Sequence, residues 1–314
     1  MKIITGSERA SQSQASVLAL GNFDGVHEGH QSLLCLALAV ARDTGLDSAV
    51  AVFDPHPRRF FAPDSPPFRL MSSARRAETI SKMGFDRLHV LSFDAEMAAR
   101  SPESFVVDIL KDRVGAKTVL VGRDFQFGKD RAGDFDALQR LCAENGMTAR
   151  AADLAQSGGE KISSSQIRSA IGEGRMADAE ELLGRPWTLD GVVELGDQRG
   201  RTIGFPTANV ALTDFARPAY GVYAVTVQVD GSEAVMEGVA NMGVRPTVNG
   251  QTERLEVHLF NFDDDIYGKM IAVSFHEHLR GEQKFDGLEA LKSQIALDAR
   301  RAKACLAARL SGPA

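Results

Sequence analysis

Four helix-like segments each end in a glycine that directly precedes a strand-like segment, and this alternation constrains the fold more than any other feature. The glycines are Gly45, Gly84, Gly115 and Gly146. Glycine tolerates the left-handed backbone that closes a helix. Repeated strand–helix–strand units predict a parallel sheet with helices on its faces. The predicted strands are SVLALGNF, SAVAVF, RLHVLSF, KTVLVG and TARAADL.

The pattern changes after ISSSQIRSAIGEGRMADAEELLG, which predicts two short helices around GEG. From GRPW onward, closely spaced strand-like runs with Gly, Asp and Asn turns predict a small antiparallel β-barrel. A last helix is predicted from about Leu288 to Leu310. The predicted fold class is α/β plus β, with a Rossmann-like parallel-sheet domain at 1–184 and a β-barrel domain with a C-terminal helix at 185–314.

Charge and cysteine content limit the partners and the location. A net charge of −6 and a pI near 5.7 argue against a general nucleic-acid binder, so anionic ligands need local binding groups. Cys35, Cys142 and Cys305 suit neither a zinc site nor a disulfide framework, and the apolar runs around Cys35 and Cys142 predict buried thiols. We expect a cytoplasmic protein that uses small-molecule substrates, with no nucleic-acid or membrane partner, as a monomer or weak homo-oligomer.

The stretch GNFDGVHEGHQSLL places two histidines at a strand-to-helix turn. His27 and His30 share one face of the first helical turn, beside unpaired backbone N–H groups and the positive end of the helix dipole. Glycines at 21, 25 and 29 allow close backbone approach. The stretch therefore predicts a nucleotide phosphate site. Surface or capping histidines are the alternative, and a zinc site is disfavoured because no third ligand lies nearby.

Several motifs together resemble one enzyme family. GNFDGVHEGH resembles the H-x-G-H motif of the nucleotidyltransferase superfamily, and ISSSQIRSAI resembles its second motif, with Ser165 replacing the usual Thr. Eight further segments are similar to segments of prokaryotic bifunctional riboflavin kinase/FAD synthetases, and they occur in the same order as in that family. They are FDPHPRRFF, VGRDFQFGKDRAGD, GRTIGFPTANV, GVYAV, NMGVRPTVNG, LEVHLFNF, DIYGK and LRGEQKF. The resemblance implies two reactions, phosphorylation of riboflavin to FMN with Mg–ATP and adenylylation of FMN to FAD with release of pyrophosphate.

The resemblance also implies roles for the N-terminal residues. His27 and His30 would be catalytic donors to ATP phosphate oxygens. The implied ATP- and phosphate-binding residues are Asp24, Gly25, Ser163, Ser164, Ser165 and Arg168, and the implied flavin-binding residues are His56 and Asp124. The alternatives are a turn carboxylate for Asp24, a serine N-cap with a surface arginine for the second motif, and a rigid proline-flanked turn around His56.

A second candidate site begins in GDQRGRTIGFPTAN. Its glycine-rich loop suits phosphate wrapping by backbone N–H groups. Thr207 and Asn209 are two apart, so on an extended chain they face the same way and offer the oxygen ligands that Mg²⁺ prefers. Turn formation is the alternative. Asp263–Asp265 could suggest a metal site, but a solvated hairpin turn is the preferred interpretation.

The resemblance assigns this second site to the kinase. Glu256, on the strand face opposite Leu255 and Val257, would accept the proton of the flavin hydroxyl. The implied ATP- and flavin-binding residues are Gly200, Arg201, Gly204 and Arg280, and the implied metal ligands are Thr207 and Asn209. A solvent-facing carboxylate at Glu256 and a helix-end surface charge at Arg280 are the alternatives.

Three other functions compete with this interpretation. They are a single-activity enzyme with one decayed half, an adenylyltransferase for another substrate, and a non-catalytic flavin sensor or carrier. Both sets of key residues are present, which argues against the first and third. The PTAN-type second half argues against the second.

Overall fold

The structure is a computed structural model that describes residues 1–6, 15–152, 156–157, 160–195, 205–230, 232–247 and 250–310. The chain divides into two compact units. The first comprises Met1–Ser65 and Ser73–Ser163, and the second comprises Pro66–Ser72 and Ser164–Ala314. Among the described residues, no helix combines the length and the hydropathy needed to cross a bilayer.

The first unit is built on a parallel sheet, in agreement with the alternation in the sequence. Its strands are β1 (Lys2–Thr5), β2 (Ser16–Leu20), β3 (Asp47–Asp54), β4 (Arg87–Ser92), β5 (Ala116–Gly122) and β6 (Thr148–Ala152). The order across the sheet is β1-β4-β3-β2-β5-β6, and every adjacent pair is parallel. The short edge strand β1 was not predicted, and neither was the two-stranded antiparallel hairpin of β7 (Gln156–Ser157) and β8 (Glu160–Lys161). Residues 153 and 154, the end of the predicted strand TARAADL, lie outside the described residues.

Helices connect these strands. They are α1 (Glu28–Thr44), α2 (Pro57–Phe61), α3 (Ser73–Lys82), α4 (Ala95–Ala98), α5 (Pro102–Ser104) and α6 (Phe135–Glu144). All four predicted helix-closing glycines have positive φ angles, which confirms their role. The segment after α5 differs from the sequence prediction, because Phe105–Arg113 is π-helical and Val114 N–H donates to the carbonyl of Ile109, five residues earlier.

The cysteine prediction is half correct. Cys142 is buried on α6, and burial raises the pKa of its thiol to about 11. Cys35 is exposed on α1, so the prediction of a buried thiol there was wrong. The side chains of Leu33, Leu34 and Ala37 form the buried face of this helix, and Cys35 falls on the opposite face despite its apolar sequence context.

The second unit contains a closed antiparallel barrel, which confirms the predicted fold class. Its strands are β9 (Trp187–Glu194), β10 (Ala208–Val210), β11 (Gly221–Val229), β12 (Val235–Thr247), β13 (Gly250–Leu259) and β14 (Met270–Gly281). The order around the barrel is β10-β13-β12-β11-β14-β9, and β9 pairs with β10 to close it. Alternate residues of each strand fill the interior, so the intervening residues project from the outer face.

Helices and one inserted segment complete the second unit. The predicted pair around GEG forms α7 (Ser164–Gly172) and α8 (Met176–Leu183), and the last helix is α9 (Leu288–Leu310). Helix α9 packs on the outer face of the barrel through Ala302 and Leu306. Pro66–Ser72 also belongs to this unit, and the indole N–H of Trp187 donates to the Leu70 carbonyl at 2.9 Å.

Candidate active sites

The strand order of the first unit marks where a ligand binds. From β2 the chain runs to β3 on one side, whereas β5 pairs with β2 on the other side. Ligands of such sheets bind at the carboxyl ends of the strands, where the order reverses. The turn that carries His27 follows β2, and Asp124 follows β5. Two candidate residues named from the sequence therefore flank the switch point of the sheet.

The turn between β2 and α1 has an unusual backbone. Phe23 and Val26 are buried and have φ angles of 49° and 40°, and Gly25 has a φ of 87°. A β-branched residue at positive φ is a genuine outlier. Such residues cost about 1–3 kcal/mol each and cluster at functional sites. The buried Asp24 lies inside the same turn. This backbone fixes the direction in which the chain enters α1.

His27 and His30 form a stacked pair at the start of α1. Their ring centroids are 3.5 Å apart with an interplanar angle of 17°. His27 is the N-cap, and its Nδ1 accepts the backbone N–H of His30 at 3.2 Å. A neutral imidazole that accepts at Nδ1 carries its proton on Nε2. The predicted capping role of a histidine here is therefore real, and it orients the ring as a donor through Nε2.

Close protein contacts explain why a glycine, Gly29, stands between the two histidines. A Cβ at this position would lie 3.2 Å from the His27 ring and 3.2 Å from the carbonyl oxygen of Ile162. Close backbone approach was predicted for this glycine, and the structure shows protein atoms that approach it closely. The contact brings Ile162, which precedes Ser163, next to the histidine turn.

A buried arginine that sequence reasoning missed supports the turn. Arg76 on α3 is 5% exposed, and its Nη1 donates to the carbonyl of Asn22 at 2.9 Å. Arg76 and Asn22 are 54 residues apart in the chain, and Arg76 lies outside every motif that the sequence offers. The only sequence signal was a basic residue on a helix with an otherwise polar pattern, which is also typical of a solvated surface.

The two predicted flavin-binding residues follow the two strands that flank β2. His56 comes after β3 and caps α2, where its Nδ1 accepts the backbone N–H of Arg58 at 3.0 Å. Asp124 comes after β5 with 74% of its side chain exposed, and Lys161 lies 2.7 Å from it. The hydrogen bond from Lys161 holds the pKa of Asp124 below its usual value. Lys161 directly precedes Ile162, so this ion pair anchors the start of the second motif at the same edge of the sheet.

The rest of the second motif lies on α7. Ser163 ends the first unit, whereas Ser164, Ser165 and Arg168 belong to the second. The predicted helix start at these serines is confirmed. The Nε of Arg168 donates to the Phe68 carbonyl at 2.7 Å, and its guanidinium lies 5.5 Å from the Phe68 ring centroid. Arg168 thus holds the inserted segment Pro66–Ser72 within its own unit.

The barrel register brings the predicted kinase residues into one row. Asn209 on β10 lies directly opposite Glu256 on β13, and Glu256 lies opposite Asn241 on β12. Val222 on β11 pairs with Asn241 and also with Arg280 on β14, so the row continues to that arginine. Side chains directly opposite one another share a face, with Cβ atoms about 4.5–5.5 Å apart in adjacent strands. We call Asn209, Glu256, Asn241, Val222 and Arg280 the outer row.

The predicted orientation of Glu256 is confirmed. Its neighbours Leu255 and Val257 are buried in the barrel core, whereas Glu256 is half-buried on the opposite face. The outer face was predicted for Glu256 from the alternation in RLEVHLFNF. The residues that share the row with it could not be predicted, because alternation does not report which strands pair.

The donor set at Thr207 and Asn209 fits a magnesium ion. The Oδ1 atom of Asn209 is buried without a hydrogen-bond partner among the described residues. A buried acceptor left unsatisfied costs about 1–3 kcal/mol, which a bound cation would offset. Thr207 immediately precedes β10 and adds a hydroxyl oxygen. Within the part of the chain that the structure describes, no group of three or more His, Cys, Asp and Glu side chains is placed to hold a metal.

The FPTAN segment is held against β13 by a histidine. The Nδ1–H of His258 donates to the carbonyl of Pro206 at 2.8 Å, and the His258 ring contacts the Phe205 ring edge-to-face at 5.5 Å. A pocket of about 420 Å³ opens beside this segment. Its lining includes Thr207, Leu259, Phe262, Ile266 and Tyr267. Asp263–Asp265 at its rim are exposed, which agrees with the predicted solvated turn.

Arg280 is anchored by the last helix. Its guanidinium makes hydrogen bonds of 2.8 to 3.1 Å to both carboxylate oxygens of Asp298, which is 2% exposed on α9. Gln294 donates to the same carboxylate at 2.8 Å. Arg280 is therefore more than the surface charge considered as an alternative. The remaining predicted kinase residues, Gly200, Arg201 and Gly204, lie outside the described residues.

These two sites define a class of protein. A doubly wound unit with a histidine pair at its switch point, and a barrel with an oxygen-rich outer row, describe a two-domain nucleotide-dependent transferase. Residues 9–166 match the family model for FAD synthetase, and residues 183–306 match the family model for riboflavin kinase. The chain belongs to the family of bifunctional riboflavin kinase/FMN adenylyltransferases.

Full-length relatives carry the same two domains. The bifunctional riboflavin kinase/FMN adenylyltransferase of Pseudomonas fluorescens is 43% identical over 297 residues, which cover 94% of each chain. That of Escherichia coli K12 is 42% identical and covers 95% of this chain and 96% of its own, and that of Bacillus subtilis is 37% identical over 91% of each. A crystal structure described as a macrolide-efflux protein from Streptococcus pneumoniae is 31% identical, with a TM-score of 0.84 over 94% of this chain and 97% of its own.

Membership of this family establishes the two reactions that the chain catalyses. The C-terminal domain phosphorylates riboflavin to FMN with ATP, and the N-terminal domain adenylylates FMN to FAD with release of pyrophosphate. The substrates are therefore the small molecules ATP, riboflavin and FMN.

Proposed function

We propose that His27 and His30 are the catalytic pair of FMN adenylylation. The observation that carries this proposal is their stacked arrangement at the switch point of the sheet, with Nδ1 of His27 used as the helix cap. Asp24, Gly25 and Ser163 would complete the phosphate site from the same edge. Phosphate binding is also proposed for Ser164, Ser165 and Arg168, which the second motif and the N-terminus of α7 support.

The chemistry at this site follows from positioning and charge stabilisation. An oxygen of the FMN phosphate attacks the α-phosphorus of ATP and forms the new P–O bond. The bond to the bridging oxygen breaks, and its electron pair leaves with pyrophosphate. The Nε2–H of His27 donates to a phosphate oxygen as negative charge redistributes. His56 and Asp124 would orient the flavin, because both follow strands that neighbour β2.

We propose that Glu256 is the base of the kinase reaction. Its carboxylate would accept the proton of the ribityl 5′-hydroxyl as that oxygen attacks the γ-phosphorus, and ADP leaves with the electron pair of the broken P–O bond. The outer row supports this role, since it places Glu256 directly beside Asn209. Gly200, Arg201 and Gly204 would bind ATP phosphates, and Arg280 would contact the flavin or the phosphates from the far end of the row.

Mg²⁺ is the proposed cofactor of the kinase site. Thr207 would hold it together with Asn209, whose Oδ1 is buried and has no hydrogen-bond partner within the described parts of the chain. When bound with ATP, the ion would neutralise charge on the phosphate oxygens. The lining of the pocket beside Thr207 is mixed, with apolar side chains such as Leu259 and Phe262 on one part and Asp263–Asp265 on another. The apolar part would take the purine base of ATP, with the phosphates toward the outer row.

The domain limits 1–184 and 185–314, a cytoplasmic location and a monomeric or weakly homo-oligomeric state remain proposals. The acidic net charge supports the absence of a nucleic-acid partner. Sedimentation velocity at micromolar and submicromolar concentrations tests the oligomeric state, and a stable oligomer at both would contradict the proposal.

The direct test of this assignment is a time course. Purified protein is incubated with riboflavin, ATP and Mg²⁺, and the flavins are separated by chromatography. FMN should appear first and FAD later. A parallel reaction without Mg²⁺ and with a chelator should yield no FMN. Asn209→Ala should raise the Mg²⁺ concentration needed for half-maximal FMN formation, and an unchanged requirement would contradict the metal assignment.

A further inference from the structure

The outer row contains a polar side chain to which no role has yet been given. Asn241 on β12 lies directly opposite Glu256, and Asn209 lies opposite Glu256 from the other neighbouring strand. Both pairs are antiparallel, so all three side chains share one face of the sheet. The carboxylate of Glu256 is therefore flanked by two carboxamides, of which Asn209 is assigned to the metal.

The burial pattern of β12 places Asn241 on the same outer face. Its neighbours Ala240 and Met242 are buried in the barrel core, whereas Asn241 is half-buried. Val239, two residues earlier, packs in the cluster beneath α9 on the outer face. Since alternate residues of a strand point the same way, Asn241 and Val239 project outward together. Asn241 is thus available to Glu256 and does not belong to the core.

Gly243, two residues further along β12, is a second neighbour of the Asn241 amide. A Cβ on Gly243 would lie 3.1 Å from Nδ2 of Asn241 and 2.5 Å from Oε1 of Glu282. The glycine therefore lets the Asn241 amide and the Glu282 carboxylate approach the same point of β12. A carboxamide NH₂ carries two donors. A carboxylate lies on each side of it, that of Glu256 on the adjacent strand β13 and that of Glu282 beside Gly243.

We propose that Asn241 is a positioning residue of the kinase site, whose amide donates a hydrogen bond to the Glu256 carboxylate. The inference rests on the proposed role of Glu256 as the base. The terminal torsion of a glutamate is broad and roughly two-fold, so an unsupported carboxylate samples many orientations. A charge-assisted hydrogen bond to one oxygen selects an orientation and leaves the other oxygen for the proton of the flavin hydroxyl.

A double-mutant cycle tests this proposal. Asn241→Ala should lower kcat for FMN formation by about 10- to 100-fold, with KM values changed by less than about threefold, because only the orientation of the base is lost. In a Glu256→Asp background the same change should lower kcat by less than about threefold, because the shorter aspartate side chain no longer reaches the Asn241 amide. Asn241→Leu, which keeps the shape but not the donor, should behave like Asn241→Ala.

Controls separate positioning from folding. FAD formation from supplied FMN by the same variants should be unchanged, and Glu237→Ala, on the same face of β12 at its other end, should leave both activities unchanged. Equal losses from Asn241→Ala in both backgrounds, an unchanged kcat, or a raised KM at constant kcat would overturn the proposal. Full kinase activity in Glu256→Asp and Glu256→Gln would instead overturn the assignment of the base.

Discussion

The Nδ1 atom of His27 accepts the backbone N–H of His30 at 3.2 Å, so the imidazole that caps α1 presents its proton on Nε2. In the proposed mechanism, one side chain thereby serves both the helix and the site. Asparagine is also a good N-cap, but its side chain is shorter than that of histidine, so its amide N–H groups do not reach the position of Nε2. The two functions of His27 can therefore be separated by substitution.

His27→Asn should retain the cap and lose the donor at the position of Nε2, because the shorter amide does not extend that far. We expect kcat for FAD formation from FMN to fall by about 10²- to 10³-fold, as when one charge-stabilising donor is removed. FMN formation from riboflavin should be unchanged. His27→Ala should lose the same activity and in addition about 1 kcal/mol of stability from the missing cap. Initial rates of both reactions and urea unfolding check this, and normal FAD formation by His27→Asn would contradict it.

Gly29→Ala should damage the adenylylation site although alanine favours helices. The new Cβ would lie 3.2 Å from the His27 ring and from the Ile162 carbonyl, so one of them must move. A displacement near 1 Å costs about 10²-fold in rate. Gly45→Ala is the matched control, because its Cβ meets nothing within 4 Å but its φ of 67° is strained for alanine. It should cost about 1–2 kcal/mol of stability and no activity. Normal FAD formation by Gly29→Ala, or a loss of FAD formation in Gly45→Ala, would contradict this account.

Asp298→Ala should destabilise the protein and impair the kinase. Removal of this buried carboxylate leaves the Arg280 guanidinium without its charge partner, which typically costs about 3–5 kcal/mol. Lys292→Ala on the same helix removes an exposed ion pair with Glu289 and should change stability by less than about 0.5 kcal/mol. Denaturant unfolding measures both changes. Similar stabilities of the two variants would show that Arg280 does not depend on α9.

Stability should fall in mild acid because of His89. Burial, together with the cations of Arg87, Arg113 and Lys2, lowers the pKa of His89 from 6.5 to about 4. The unfolded chain therefore binds the extra proton first, and the free energy of unfolding decreases as the pH falls from 6.5 to about 4. The loss from this residue is on the order of 3 kcal/mol. His89→Leu should flatten the pH dependence in this range, and an unchanged slope would contradict the assignment.

Much of the fold follows from local sequence patterns. The helix-closing glycines, the change from α/β to β and the bounds of α9 were predictable, because periodicity and turn residues report which face of a segment is buried. Cys35 shows the limit of that reasoning. Its surroundings in α1 are apolar on all sides, so the periodic signal did not distinguish the buried face from the exposed one.

The parts of the sites that were missed depend on long-range pairing. Compact motifs were enough to propose His27, His30, Thr207, Asn209 and Glu256 as site residues. The contact from Arg76 to Asn22 and the register that places Asn241 beside Glu256 join distant parts of the chain. Amphipathic patterns identify a face of a strand but not the strand that pairs with it. For the same reason, the sequence did not show that Pro66–Ser72 belongs to the second unit.

The central claim is that one chain carries two separate sites, one of which forms FMN from riboflavin while the other converts FMN to FAD. A complementation experiment with His30→Ala and Glu256→Ala tests it most directly. Each variant alone, given riboflavin and Mg–ATP, should form no FAD, because the first lacks adenylylation and the second lacks phosphorylation. An equimolar mixture should form FAD through released FMN. If either variant lost both activities while still folded, or if the mixture formed no FAD, the two-site account would be wrong.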